Sequence, residues 1–133
     1  MGTPQQGSVP TRTAGAPHLA PHWLDGWFVV EAGRRQAWPF LTLASPEAGT
    51  EVRLYIDATF SVDPGWDAVR QDDDALVALD SLNGLTVVSS RSSDDGLRVD
   101  LGAATLQVQP RPNELTTHAV WWTGPGAAQP PAP

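Results

Sequence analysis

Between Glu51 and Asp63 the chain alternates without a break. Val52, Leu54, Ile56, Ala58, Phe60 and Val62 are apolar, and Glu51, Arg53, Tyr55, Asp57, Thr59, Ser61 and Asp63 between them are polar or amphipathic. Successive side chains on a strand point to opposite faces. The pattern therefore predicts one long strand over Glu51–Asp63, its even row on a core, and no helical register fits it. A slip of one residue would turn the whole apolar row to water, so the pairing register of this strand is tightly constrained.

The rest of the chain is organised around that strand. Upstream, Trp27–Glu31 reads as a strand, Gly33-Arg34-Arg35 as a turn, Ala37–Ala44 as a second strand, and Ser45–Gly49 as a second turn. Downstream, Asp63-Pro64-Gly65-Trp66-Asp67 reads as a turn. Asp72–Leu82 is the one helix, with Asp72 as N-cap and Asp73 and Asp74 in a first turn where the helix dipole favours anions. Leu76, Val77, Leu79 and Leu82 form its expected apolar stripe, and Asn83-Gly84 its exit. Strands follow at Leu85–Ser90, Leu97–Leu101, Thr105–Gln109 and about His118–Thr123, with a hairpin signal at Asp94-Asp95-Gly96 and a break at Pro110–Asn113.

Leu24-Asp25-Gly26-Trp27-Phe28-Val29-Val30 matches Leu82-Asn83-Gly84-Leu85-Thr86-Val87-Val88, the second copy lying 58 residues after the first. Two further strands follow each copy. The chain thus reads as an internal repeat, residues 24–62 and 82–109, of two three-strand β-meanders joined by the helix and closed by a last strand. Runs of antiparallel strands with a single helix place it in the α+β class, mainly antiparallel β with about seven strands, as a sheet or a partly open barrel. The layout resembles a family of small uncharacterised actinobacterial domains. The likeness is carried by Leu24/Gly26, Val52–Phe60, Leu82/Gly84, Asp95-Gly96, Val108–Pro110 and Trp122–Gly124. The resemblance implies a fold and transfers no activity and no functional residue.

Composition narrows the functional classes. Residues 1–22 and 125–133 are rich in Pro and Gly and lack an apolar period. They are expected to be disordered tails, dispensable for folding, flanking a single domain at 23–124. The formal charge is −7, and every cation is an arginine. Arg34-Arg35 is the only basic pair, so there is no basic patch for nucleic acid, and no apolar run long enough for a membrane span. Without a basic and then apolar leader, the expected location is the cytoplasm. Absence of cysteine removes disulfides, thiolate zinc sites and cysteine nucleophiles. His18 and His22 lie among prolines that oppose a helix, which argues against a metal site. The consecutive acids Asp72–Asp74 suit a helix start better than a calcium loop, whose ligands alternate.

No phosphate loop, dinucleotide fingerprint, nucleophile elbow or zinc-protease motif is present, and no cofactor is expected. His118 beside two tryptophans reads as a sheet residue rather than a base. The unusual feature is six tryptophans in so short a chain. Tryptophan serves cores and binding hot spots alike. In Trp121-Trp122 one ring must face the core and the other the opposite side. Trp122 is the expected outward ring, because Trp121 shares its phase with the small Ala119 and Thr123. Trp66, in the turn after Pro64-Gly65, is expected to be exposed. Tyr55 and Asp57 are expected on the polar face of their strand, either lining a polar groove with Arg53 and Asp63 or as part of a solvated sheet face.

The candidate binding surface is thus Trp122, Trp66, Tyr55 and Asp57. The reading that follows is a non-catalytic protein-binding module of the immunity or regulatory-adaptor kind, engaging a protein partner or a second copy. The alternatives are a small-ligand-binding β domain and an enzyme built from scattered polar residues.

Overall fold

The computed structural model describes residues 23–47, 49–93, 96–117 and 119–125. In chain order these form β1 (Phe28–Arg35), β2 (Trp38–Ala44), β3 (Glu51–Ile56), β4 (Phe60–Asp63), β5 (Trp66–Val69), α1 (Ala75–Asp80), β6 (Ser89–Ser93), β7 (Gly96–Asp100), β8 (Thr105–Val108) and β9 (Trp121–Pro125). All pairings are antiparallel. They build a four-stranded sheet ordered β9-β3-β2-β1 and a five-stranded sheet ordered β5-β4-β8-β7-β6. The fold is α+β, two sheets that do not close into a barrel and one short helix, with nine strands among the described residues where the sequence pattern suggests seven.

The alternating stretch Glu51–Asp63 is two strands rather than one. β3 belongs to the first sheet, the chain bends over Asp57-Ala58-Thr59, and β4 belongs to the second. Its apolar row nevertheless stays inside from Leu54 on: Leu54, Ile56, Ala58, Phe60 and Val62 are all buried in one core shared by both sheets, with Val52 partly buried against it. Period-two patterning reports which face a residue presents, and both sheets present that face to the same core.

An approximate two-fold relation governs the architecture. Gly26 N–H donates to the Val87 carbonyl (2.9 Å) and Gly84 N–H to the Val29 carbonyl (2.8 Å). Val29 N–H donates to Leu85 O (2.9 Å) and Val87 N–H to Trp27 O (2.7 Å). Each bond maps onto the other by the same 58-residue offset, and Phe28, bridged to its own counterpart Thr86, sits at the pivot. The offset runs on through two strands, so β1 and β2 correspond to the segment through β6 and to β7. After a shorter turn, β3 corresponds to β8. The fourth strands are exchanged: β4 of the first half pairs with β8 of the second, and β9 of the second pairs with β3 of the first.

Several local expectations change. β1 continues through Gly33-Arg34-Arg35, and the turn falls on Gln36-Ala37, with Gln36 at φ 56°. Trp66-Asp67, expected in a turn, opens the edge strand β5 after the cis Asp63–Pro64 bond. The helix is six residues long and follows Asp74, whose side chain makes no cap bond, so the Asp72 cap and acidic first turn are not formed. Its buried side is Ala75, Ala78 and Leu79, with Leu82 beyond, while Val77 is 56% exposed. Small alanines face the core because α1 packs closely across β1 and β2. Leu85–Ser90 is not one strand. Its first part pairs with Trp27–Val29 and β6 starts at Ser89. Asp94-Asp95, His118, both histidines of the tail and the tails before Trp23 and after Pro125 lie outside the described residues. Among the described residues no helix is long and apolar enough to cross a membrane.

Gly26 and Gly84 share φ +86°, and no atom lies within 4 Å of a Cβ built on either. A substitution there meets backbone strain alone. Gly26→Val and Gly84→Val are each expected to lower stability by about 1–2 kcal/mol, the cost of placing a branched residue in the left-handed region. Urea denaturation checks this. A neutral Gly84→Val would contradict the matched turns.

Candidate functional site

The outward face of the four-stranded sheet carries a row of aromatic side chains set by the strand register. Trp122 is opposite Tyr55, Tyr55 opposite Phe40, and Phe40 opposite Gly33. Tyr55 stacks on Trp122 (5.3 Å, 14°), Phe40 meets Tyr55 edge-on (5.5 Å, 62°), and Trp38 meets Trp122 edge-on (5.0 Å, 85°). These are the offset and T-shaped geometries that aromatic quadrupoles favour. Phe40 can lie flat on β1 because residue 33 is glycine. A Cβ there would come within 2.4 Å of the Phe40 ring. Phe40 (5% exposed) and Tyr55 (8%) form the floor, and Trp38 and Trp122 are half-buried at the rim.

A polar row runs beside the aromatic one. Arg53, Thr42 and Glu31 lie abreast on β3, β2 and β1. The Arg53 guanidinium covers the Phe40 ring at 4.3 Å, a cation–π distance, and reaches Glu31 Oε2 at 3.8 Å. Thr42 Oγ1 donates to the same Glu31 oxygen at 3.0 Å.

The two-fold relation supplies an internal comparison. On the outward face of the five-stranded sheet, the positions equivalent to Gly33, Phe40, Tyr55 and Trp122 are Arg91, Arg98, Gln107 and Ser61. The two arginines are exposed, and Arg98 Nη1 donates to Gln107 Oε1 at 3.4 Å. The same fold therefore accepts an ordinary polar surface at these positions. The aromatic row is a property of one half and not a requirement of the architecture.

Trp121 is fully buried and Trp122 faces outward, as the phase of the strand requires. Trp23 stacks on Trp121 (6.4 Å, 18°), so the start of the domain packs on the inward ring.

The other two sequence candidates lie elsewhere. Asp57 is not on a solvated face: it is 2% exposed, at the bend between β3 and β4. Its Oδ1 accepts from Gln71 Nε2 (2.9 Å), and its Oδ2 accepts from Thr117 N–H (2.9 Å) and Thr117 Oγ1 (3.4 Å). Thr116 Oγ1 donates to the Asp57 carbonyl. Asn113 Nδ2 donates to Gln71 Oε1 (2.8 Å) and Thr59 Oγ1 (2.9 Å), linking both sides of the bend. The carboxylate is buried because local amides and hydroxyls satisfy it. Nothing in sequence spacing reveals this set, since its members are more than 40 residues apart in places.

Trp66 is half-buried on edge strand β5 rather than exposed in a turn, its side chain packed against the core. With Asp67, Ala68, Val69 and Asp72, Asp73 and Asp74 it lines an open groove of about 370 Å³. Ala68 is at φ 49°, and the β4/β5 register shifts between Phe60 and Val62. Beside the groove Arg70 pairs with Glu114 and lies 3.6 Å from Asp72. A backbone hydrogen bond and then Arg70 hold the Glu114 carboxyl below the usual carboxylate range. Among the described residues no group of three or more His, Cys, Asp or Glu is placed to hold a metal ion.

The structure thus brings Trp122 and Tyr55 together, adds Trp38, Phe40 and Arg53 to them, and separates them from Trp66 and Asp57. Strand register would have exposed the additions, because Phe40 is directly opposite Tyr55 once the β2–β3 hairpin is set. Comparison with protein-family models, with curated proteins and with solved structures gives no match. The resemblance to actinobacterial domains is without support from these comparisons.

Alanine replacements separate the two tryptophans. Trp121→Ala is expected to cost about 3–5 kcal/mol, as for a large buried ring, and Trp122→Ala well under half of that. Chemical denaturation with matched m-values measures both. Equal losses would place both rings in the core.

Proposed function

We propose that this protein is a non-catalytic binding module that engages a protein partner through the aromatic face made by Trp38, Phe40, Tyr55 and Trp122 with Arg53. The observation that carries the reading is the contrast between halves. Positions that hold Arg91, Arg98, Gln107 and Ser61 on one sheet hold Gly33, Phe40, Tyr55 and Trp122 on the other. Rigid aromatic rings and arginine dominate the energetics of protein interfaces, because they bury much area at low entropic cost. Here the rings are fixed in advance by stacking and by the fit of Phe40 on Gly33, which lowers the cost of ordering on binding. Asp57, the buried carboxylate among the described residues, is engaged by Gln71 and Thr117, which supports a structural and not a chemical role for it. A role as an immunity or regulatory adaptor protein in the cytoplasm fits a small domain of this kind.

The test is affinity capture from the producing cells with three baits: wild type, Trp38→Ala/Trp122→Ala, and Ser61→Ala/Gln107→Ala on the equivalent polar face. The first pair should lower partner affinity by about 2 kcal/mol or more, the scale of an interface hot spot. The second pair should leave capture unchanged. Equal capture by all three folded baits would overturn the reading.

A further inference from the structure

We infer that the partner of the aromatic face is a second copy of this chain, in an isologous two-fold dimer. The inference rests on the reading that this face binds protein, and adds what it binds. The first argument is charge. The chain carries a formal charge of −7, which opposes the approach of two copies. The outward face of the four-stranded sheet departs from that average. By register its charged positions are Arg35 and Arg53 on one side of the balance and Glu31 and Glu51 on the other. It is therefore a locally neutral patch on an acidic molecule, so its own charges do not oppose the approach of a second copy there.

The second argument is the order of residues across the sheet. A two-fold contact must be self-complementary, so that residue i meets j and j meets i. Arg53 on β3 and Glu31 on β1 flank Thr42 on the central β2. A two-fold axis in the interface, parallel to the strands and over β2, sets Arg53 of each copy against Glu31 of the other. The same operation lays the bulky end of the aromatic row, Trp122 and Tyr55, over its low end, where Phe40 lies flat on Gly33. Bulk then meets hollow and cation meets anion twice. Within one chain the Arg53–Glu31 contact is long at 3.8 Å, and the Glu31 side chain is 48% exposed. The pair has capacity left for a facing copy.

Sedimentation of the full chain over a wide concentration range tests the inference. Wild type is expected to show a monomer–dimer equilibrium. Arg53→Glu and Glu31→Arg should each weaken it by about tenfold or more, through like charges in contact. An equimolar mixture of the two variants should recover dimerisation, because each mixed dimer pairs opposite charges at both contacts. Trp122→Ala should also dissociate the dimer while keeping the folded spectrum. A wild type that stays monomeric at the highest concentration overturns the inference, and so does a mixture that associates no better than either variant alone. In that case loss of heterologous capture by Trp38→Ala/Trp122→Ala still upholds the aromatic face as a binding surface, whereas unchanged capture removes both readings.

Discussion

The exchange of the fourth strands is the constraint on which the rest of this fold depends. At the end of β3 the Asp57 N–H donates to the Val120 carbonyl at 2.8 Å, just before β9. At the end of β8 the Gln109 N–H donates to the Thr59 carbonyl at 2.9 Å, just before β4. Each half thus hands its chain to the other half's sheet through the same bond. Neither sheet is complete without a strand from the other half, and the core is common to both. Asp57 sits where the chain makes this crossing. Burying a carboxylate there is tolerable only because Gln71, Thr117 and, through Gln71, Asn113 supply donors. Those donors come from the segments after β5 and after β8, so the polar set ties both connections to the crossing.

The two-fold correspondence of the strands also separates what both halves share from where they differ. Leu24 and Leu82, Val29 and Val87, Leu54 and Leu106, and Ile56 and Val108 are buried in equivalent places. These are packing requirements met twice. The outward faces differ instead. Phe40, Tyr55 and Trp122 stand on one sheet where Arg98, Gln107 and Ser61 stand on the other. The functional proposal follows from that asymmetry, and the dimer inference from the order of charges beside it.

Much of the fold was legible because both sheets use one core. Alternation over Glu51–Asp63 identifies the inward row correctly although the strand changes sheet at Asp57. The matched glycines 26 and 84 announce the two turns, and Trp121-Trp122 can face only two ways. What patterning cannot see is pairing at a distance. Gly33 looks like a turn residue, yet it lies within a strand to make room for Phe40. Asp57 looks like an exposed polar residue of an alternating strand, because its partners lie at 71, 113 and 117. Trp66 follows Pro64-Gly65 and reads as a loop, while a short edge strand with Ala68 in the left-handed region accommodates it. The candidate site was half visible for the same reason: Trp122 and Tyr55 stand out in the sequence, but their neighbours are set by register.

Native-state hydrogen exchange tests the central claim most directly, that two halves with exchanged strands form one cooperative unit. The amides of Asp57 and Gln109 at the two crossings, and of Gly26, Val29, Gly84 and Val87 at the pivot, report from both halves. If neither sheet is complete alone, all should exchange only through global unfolding, with the free energy measured by denaturant. Amides of one sheet opening at a distinctly lower free energy than those of the other would contradict the account.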